Sequence, residues 1–410
     1  MNTAPAKPPL FPDEAVYQPL WLWRALIITA TIFVSSIFFS IAVNSIALVL
    51  MGGAWLGIMV ACRRNLVTST PIDWFFLAYV AAELLSTLFS VRPEQSLLFS
   101  KRVLLIAIVY FFGSMTTSRQ TARWYISVLL GSPAILALIG TFKLILADPD
   151  TTRRLGIFQF YMTTSELMMG AALLFIPFVI HPKTPANVRW VCAICLVPII
   201  ISLYATVTRG AYLAAAAGII FIAFARSKKL LVPLLVLIIL LFLFAPPYVQ
   251  DRLRSIVDIN HPENASRLML WKAGLRIFAD HPIVGVGDID LHDLFVQYIP
   301  PGPDISWGHE HNVLLQILVT LGALGFIAVV ALFVRILVAE WRIYRKVKDD
   351  WLAGSFALGS LAVFVGIQIM GLTEWSFGDQ EVALLLWTSL GLSLALGKLA
   401  DPAWSGASLT

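Results

Sequence analysis

Charge is what this chain has least of. Only 13% of its 410 residues are Asp, Glu, Lys or Arg, and 59% are hydrophobic, whereas an ordinary soluble domain carries roughly 25% charged residues. That scarcity excludes a soluble globular protein. The net charge of +5 is therefore read through its distribution among loops, and no interleaving of basic and aromatic residues points to nucleic acid. Cysteine is nearly absent, with Cys62, Cys192 and Cys195 alone present. No disulfide framework follows. The C-x-x-C pair Cys192 and Cys195 sits in an apolar run without polar partners, so both are expected as small buried residues. The opening MNTAPAKPPLFPDEAVYQPLWLWR lacks the basic-then-apolar pattern of a cleaved signal and is expected to form a short cytoplasmic tail. No convincing repeat is visible, which counts against a transporter built from paired halves.

What is present is a succession of apolar runs, each about 20 residues and long enough to cross a bilayer. Their polar breaks predict about twelve spanning helices, at 21–42, 45–62, 72–91, 96–116, 122–147, 163–181, 189–207, 211–226, 229–246, 311–340, 352–373 and 380–399. In the first pair only Asn44 offers a break. The expected division is a tail over 1–20, helices one to nine over 21–246, a long outward loop over 247–310, helices ten to twelve over 311–399, and a tail over 400–410.

Orientation follows from the short connections. Arg63 with Arg64, Arg119 with Arg123, Lys183 with Arg189, Arg226 with Lys228 and Lys229, and the group Arg342, Arg345, Lys346 and Lys348 fall on alternate loops. The positive-inside rule makes that side cytoplasmic, and both termini with it. Three connections on the opposite side nonetheless carry arginine: ADPDTTRRLGIFQFYMTTS, ATVTRGAY and the long loop. Outward arginines beside a membrane contact something negative, and lipid phosphates are the nearest candidates.

Within the long loop, ENASRLMLWKAGLRIFADHP has helical periodicity. At about 100° per residue Leu268, Trp271, Leu275 and Phe278 form one stripe, with Arg267 at its edge and Arg276 on the opposite face. The following HPIVGVGDIDLHDLF is read as irregular. At the mouth of the tenth helix stands His309-Glu310-His311-Asn312. Free N–H groups and a partial positive charge at a helix N-terminus favour a neutral imidazole, able to act as a base. On a helix His309 and His311 diverge by about 200° and do not form a pair; capping residues at the interface are the plain alternative. Asp288, Asp290, His292 and Asp293, together with His309 and His311, could assemble a divalent metal site, but the spacing matches no specific ligand motif and no metal is expected. A neutral histidine and several arginines on one side suit chemistry with a phosphate leaving group, the arginines holding a pyrophosphate and the histidine taking a hydroxyl proton.

These segments resemble a known family. HNVLLQILVTLGALGF is similar to the H-[NSQ]-x9-G-x-x-G signature of O-antigen ligases, through His311, Asn312, Gly322 and Gly325, although Phe326 stands where that pattern prefers a small residue or tyrosine. TVTRGAYLA resembles the family's Thr-x-Ser-Arg-Gly segment, with Thr208 in place of serine. SRLMLWKAGLRIFADHPIVGVG resembles its Arg-x3-Trp…Pro-x2-Gly-x-Gly segment through Arg267, Trp271, Pro282, Gly285 and Gly287. RLGIFQF is similar to a further outward element around Arg154 and Gly156.

The likeness covers most of the chain. It implies an all-α polytopic membrane protein with about twelve transmembrane helices and one long periplasmic loop, in the bacterial inner membrane. It further implies a metal-independent inverting glycosyltransferase without cofactor, moving glycan from undecaprenyl pyrophosphate to the lipid A–core oligosaccharide. His311 would be the base, Arg209 and Arg267 the pyrophosphate clamp. Arg154, Arg276, His309, Asn312 and Trp271 are further candidates, Asn312 to orient His311 or the acceptor and Trp271 to stack on sugar or lie at the headgroups. O-antigen polymerases and protein O-oligosaccharyltransferases share the architecture. One long loop with a single Arg-x10-Gly match, Arg276 to Gly287, favours ligase over polymerase. A small-anion transporter is the competing class, but the candidate residues gather at one face rather than at the midplane. The expected partners are the lipid-linked donor, the acceptor and membrane lipids.

Overall fold

The structure is a computed structural model that describes residues 19–63, 65–146, 155–232, 247–300 and 307–401, with 235, 236, 239, 243 and 244 between. Among these residues every regular element is a helix. In chain order they are α1 (Leu20–Ser36), α2 (Ile41–Cys62), α3 (Asp73–Leu88), α4 (Pro93–Ser100), α5 (Ala107–Met115), α6 (Arg119–Leu146), α7 (Tyr161–Ile180), α8 (Ala186–Ala205), α9 (Arg209–Arg226), α10 (Pro247–Arg254), α11 (Pro262–Asp280), α12 (His292–Tyr298), α13 (Val313–Val347), α14 (Trp351–Met370) and α15 (Gln380–Ala400).

Nine helical stretches among the described residues are long and apolar enough to cross a membrane, the segment Pro93–Met115 counting as one. The expected count of about twelve is not reached here, for two reasons. Half of the stretch 229–246 lies outside the described residues. Helices α1 and α3, with 17 and 16 residues, rise only about 24–26 Å, short of a hydrocarbon core of about 30 Å.

Two boundaries also differ from the sequence reading. The break between α1 and α2 is at 37–40, where Ser40 caps α2 by accepting from the Val43 N–H; Asn44 lies in the first turn of α2 and is buried. The fourth run is not one helix, because Lys101–Ile106 tightens to a 3₁₀ segment between α4 and α5.

Helices α7, α14 and α15 form the centre, with 83%, 83% and 89% of their apolar windows covered by protein. Basic connections converge at one end. Arg119 pairs with Asp350, His181 Nε2 lies 3.0 Å from the Lys348 carbonyl, and Arg226 donates to that same carbonyl. The candidate residues gather at the other end, under α10, α11 and α12. That cover has its own apolar centre around Leu270, Ile277, Val286 and Phe295.

The cover is fastened to α13 by a backbone splice. Inside α13, Gly322 leaves helical geometry at φ 64°, ψ −169°, a region open to glycine and hardly to any other residue. The break frees the carbonyls of Val319 and Thr320 and the N–H groups of Ala323 and Leu324, which a continuous helix would pair i to i−4. Segment 282–287 takes all four. Val286 and Gly287 donate to Val319 and Thr320, at 3.1 and 2.9 Å, while Ala323 and Leu324 donate to Pro282 and Ile283, at 2.9 and 3.1 Å. Ser86 on α3 adds a bond to the Thr320 carbonyl at 2.7 Å, and Ser90 one to Val286 at 2.7 Å. Buried backbone groups need partners, so the two glycine-bearing motifs are halves of one joint.

Candidate active site

The first turn of α13 decides where the histidines point. Asn312 is its N-cap: its Oδ1 accepts from the Leu315 N–H at 3.0 Å, and its Nδ2 donates to the Leu372 carbonyl at 3.1 Å. Asn312 therefore spends both ends of its amide on backbone. His309 and His311 precede the cap and are not helical, so a 200° divergence based on helix periodicity does not hold. His311 adopts φ 49°, which turns it back on His309. The two rings lie 4.1 Å apart by centroid, and the edge of Trp307 meets His311 at 4.6 Å.

His311 is 4% exposed. Its Nδ1 is 2.9 Å from Oε1 of Glu374, in the connection between α14 and α15, and its buried Nε2 has no partner among the described residues. A carboxylate at Nδ1 fixes that nitrogen as the N–H and leaves the lone pair on Nε2, which is the arrangement a general base needs. Glu374 Oε1 also accepts the Trp375 N–H at 3.1 Å. Burial alone would raise the Glu374 carboxyl. The His311 hydrogen bond, helped by the neighbouring imidazoles and the Trp375 N–H, outweighs it, and the group lies below the usual carboxylate value. Burial, with His311 next in effect, holds His309 at about 4, so it is neutral at pH 7.

Three arginines meet on the other side of Glu374. Arg209, Arg252 and Arg267 line one pocket with Tyr161, Thr373 and Glu374. Arg209, the first residue of α9, is 6% exposed and already bonded: Nη1 to the Ser255 carbonyl and hydroxyl at 2.8 and 2.9 Å, Nη2 to Glu263 and Asn264 at 2.9 and 3.0 Å. Arg252 pairs with both oxygens of Glu263. Arg267 faces the pocket and has no hydrogen-bond acceptor among the described residues. Arg276 is exposed away from it and donates to the Tyr298 carbonyl at 3.2 Å. Arg154 lies outside the described residues.

The buried face of α11 is not the expected stripe. Leu268 and Leu275 are exposed, and Leu270, Ala273, Gly274 and Ile277 are buried. Size decided it. A Cβ on Gly274 would stand 2.0 Å from Glu310 Oε1, so only the small-residue face can approach. Trp271 Nε1 donates to the Glu310 carbonyl at 2.9 Å, which makes this indole a brace for the histidine segment. Glu310 itself is 0% exposed, its oxygens lack partners among the described residues, and burial pushes its carboxyl up to about 8.

Sequence reading marks Glu374 only as a polar residue near a span end and gives it no role, since it belongs to no motif and is 63 positions from His311. It also left Arg102 without a role. Arg102 Nη1 donates to both oxygens of Asp288 at 3.3 and 3.1 Å, and its guanidinium lies 5.8 Å from the Trp375 ring centroid, linking the splice to the residue after Glu374. Burial raises the Asp288 carboxyl against the pull of Arg102. Asp293 pairs with Arg92 instead, and Asp290 accepts from the His292 N–H. The one group among the described residues with the spacing to hold a metal is His309, His311 and Glu374, whose ligand atoms lie within 4.8 Å of one another.

A family model described as O-antigen ligase matches residues 194–330. That stretch holds Arg209, Arg267, both halves of the splice and His311; Arg102 and Glu374 fall outside it. No curated protein matches the chain.

Proposed function

We propose that this multi-pass membrane protein, with an O-antigen ligase domain over residues 194–330, is an inverting glycosyltransferase. It moves O-antigen glycan from undecaprenyl pyrophosphate to a hydroxyl of the lipid A–core oligosaccharide. The observation that carries the reading is the His311–Glu374 pair beside a pocket containing Arg267, where neither His311 Nε2 nor the Arg267 guanidinium has a hydrogen-bond partner among the described residues.

In this reading His311 Nε2 takes the proton of the acceptor hydroxyl as its oxygen attacks the anomeric carbon. The bond from that carbon to the pyrophosphate oxygen breaks on the opposite face, so the configuration inverts. Arg267 binds the departing pyrophosphate directly. Arg209 and Arg252 supply further positive charge, while Glu263, which they share, gives way to the incoming anion. Glu374 holds the imidazole tautomer and stabilises the imidazolium. The reaction side faces the periplasm, the opposite, basic end faces the cytoplasm, and the membrane is the bacterial inner membrane. Support for this orientation comes from Arg119, Arg189 and Arg226, which all bond at that far end.

Ligase is favoured over polymerase by the one long loop. The lipopolysaccharide profile of a strain lacking the gene separates the two. Polymer lost from the core but retained on the lipid carrier marks a ligase, and cores capped with a single repeat mark a polymerase.

The arginines give a graded expectation. Arg267→Ala lowers turnover about ten- to a hundred-fold, from the loss of a charged hydrogen bond of roughly 1.5–3 kcal/mol, and lysine restores little because it lacks the planar fork. Arg276→Ala stays near wild type, because that side chain is exposed and bonded to Tyr298. Turnover of both variants with lipid-linked donor at matched expression checks this, and equal losses would remove Arg267 from the phosphate site. Catalysis uses arginine where other transferases use a cation, so purified protein keeps its activity in excess EDTA. Activity lost in chelator and restored by Mg²⁺ or Mn²⁺ would replace this mechanism with a metal-dependent one.

A further inference from the structure

His309, His311 and Glu374 are more than a base and its surroundings. Their ligand atoms lie within 4.8 Å of one another, although the residues come from two connections 63 positions apart. Two imidazoles and one carboxylate are a donor set suited to Zn²⁺ rather than to Mg²⁺ or Ca²⁺, which prefer oxygen alone. A tetrahedral zinc with bonds of about 2.0–2.1 Å holds its ligand atoms roughly 3.3 Å apart. The His311 Nδ1 to Glu374 Oε1 separation, 2.9 Å, is already close to that.

We propose that this cluster is a Zn²⁺ site whose occupation switches the protein off. The proposal rests on the reading of His311 as the base. A neutral imidazole has one N–H and one lone pair. A metal at Nε2 takes that lone pair directly. A metal at Nδ1 displaces the proton there, which moves to Nε2 and makes that nitrogen a donor. On either nitrogen the acceptor hydroxyl finds no imidazole lone pair to take its proton, and no proton is gained or lost by the protein as a whole. The metal therefore blocks the proton transfer that transfer of the glycan requires.

Neighbouring features assist binding. Zinc binds through the lone pair of a neutral imidazole, and each of the two rings offers one within reach of the Glu374 carboxylate. His309 Nδ1 holds only a 3.3 Å contact from the His311 N–H, a weak bond to surrender. His309 is partly exposed, which gives the ion a route in. Three protein ligands leave the fourth position to water.

The test uses the purified full-length protein with Co²⁺ alone, whose visible absorption reports tetrahedral coordination, and then Zn²⁺ in competition. We expect one saturable site, with affinity at least tenfold weaker in both His309→Gln and Glu374→Gln, each checked for an unchanged gel-filtration profile. Zn²⁺ should also lower wild-type turnover over the same concentration range, reversibly with EDTA. In His309→Gln the inhibiting concentration should rise at least tenfold relative to that variant's own metal-free rate. Absence of a saturable tetrahedral signal, binding unchanged by both substitutions, or stimulation by Zn²⁺ would each overturn the proposal. The absorption titration needs no substrate, so a chain that bound zinc here but transferred no glycan would disprove the glycosyltransferase reading and the switch while leaving the metal site in place.

Discussion

His311→Ala lowers glycan transfer by about 10²- to 10⁴-fold, the range that general acid–base catalysis supplies, and leaves the protein inserted at normal abundance. The imidazole is buried, yet its structural contacts are few: one bond to Glu374 and ring contacts with His309 and Trp307. Asn312 and the splice at Gly322 hold the backbone around it independently. Glu374→Gln keeps the shape and a hydrogen-bonding oxygen but loses the charge that stabilises imidazolium, so it lowers kcat about ten- to a hundred-fold, the scale of losing a charge-assisted bond worth about 1.5–3 kcal/mol, with little change in KM. Transfer from lipid-linked donor, measured at saturating donor and matched expression, decides it. A His311→Ala protein with near-normal kcat would remove the base from this site, and a Glu374→Gln protein altered only in KM would reassign Glu374 to substrate binding.

Gly322→Ala does comparable damage by a different route. The residue sits at φ 64°, and an added Cβ would lie 2.4 Å from the carbonyl carbon and oxygen of Ile283 and 2.5 Å from the Gly285 nitrogen. These are backbone atoms on a facing segment that is itself pinned, so no side-chain rotation relieves the overlap. The strained conformation costs about 1–3 kcal/mol for a residue other than glycine, and the four splice bonds add about 0.5–1.5 kcal/mol each if the joint opens. The expected result is rapid amide exchange in 282–291 together with loss of transfer, because the cover that carries Arg267 and braces the histidine segment is then no longer fastened to α13. Gly53→Ala is the control: nothing lies within 4 Å of a Cβ there, and exchange and activity remain normal. Native exchange rates in Gly322→Ala would show that the joint tolerates a side chain and is not what holds the cover down.

The apolar runs made the helices readable, because a bilayer demands about 20 such residues whatever surrounds them. The splice was not readable as a splice. Gly322 is one glycine in an apolar stretch, and its partners are about 40 residues upstream, where nothing in composition announces a backbone pairing. The histidines were placed at the right mouth of the right helix, but helical spacing was extended one turn too far. Asn312, a strong capping residue directly before an apolar run, was the signal that His309 and His311 precede the helix and are free to turn together. Glu374 carried a weaker hint, a carboxylate in the short polar gap between two apolar runs. Which histidine it would meet depends on packing between α13, α14 and α15, and no local pattern encodes that. Likewise Leu268 and Leu275 scored as core by hydrophobicity, where closeness of approach put Ala273 and Gly274 inside.

The distance along the chain between His311 and its carboxylate has a consequence in time. Synthesis delivers the chain from its N-terminus, and segments settle as they emerge. When His311 reaches the bilayer, its tautomer is unset, since Glu374 and Trp375 are still unmade, and Leu372, which Asn312 will hold, is missing too. A ribosome-bound chain already carrying every arginine of the pocket therefore still lacks the carboxylate that orients His311. The site is complete only once α14 and the connection after it are in place, so a product truncated before Glu374 has the pocket arginines without an oriented histidine.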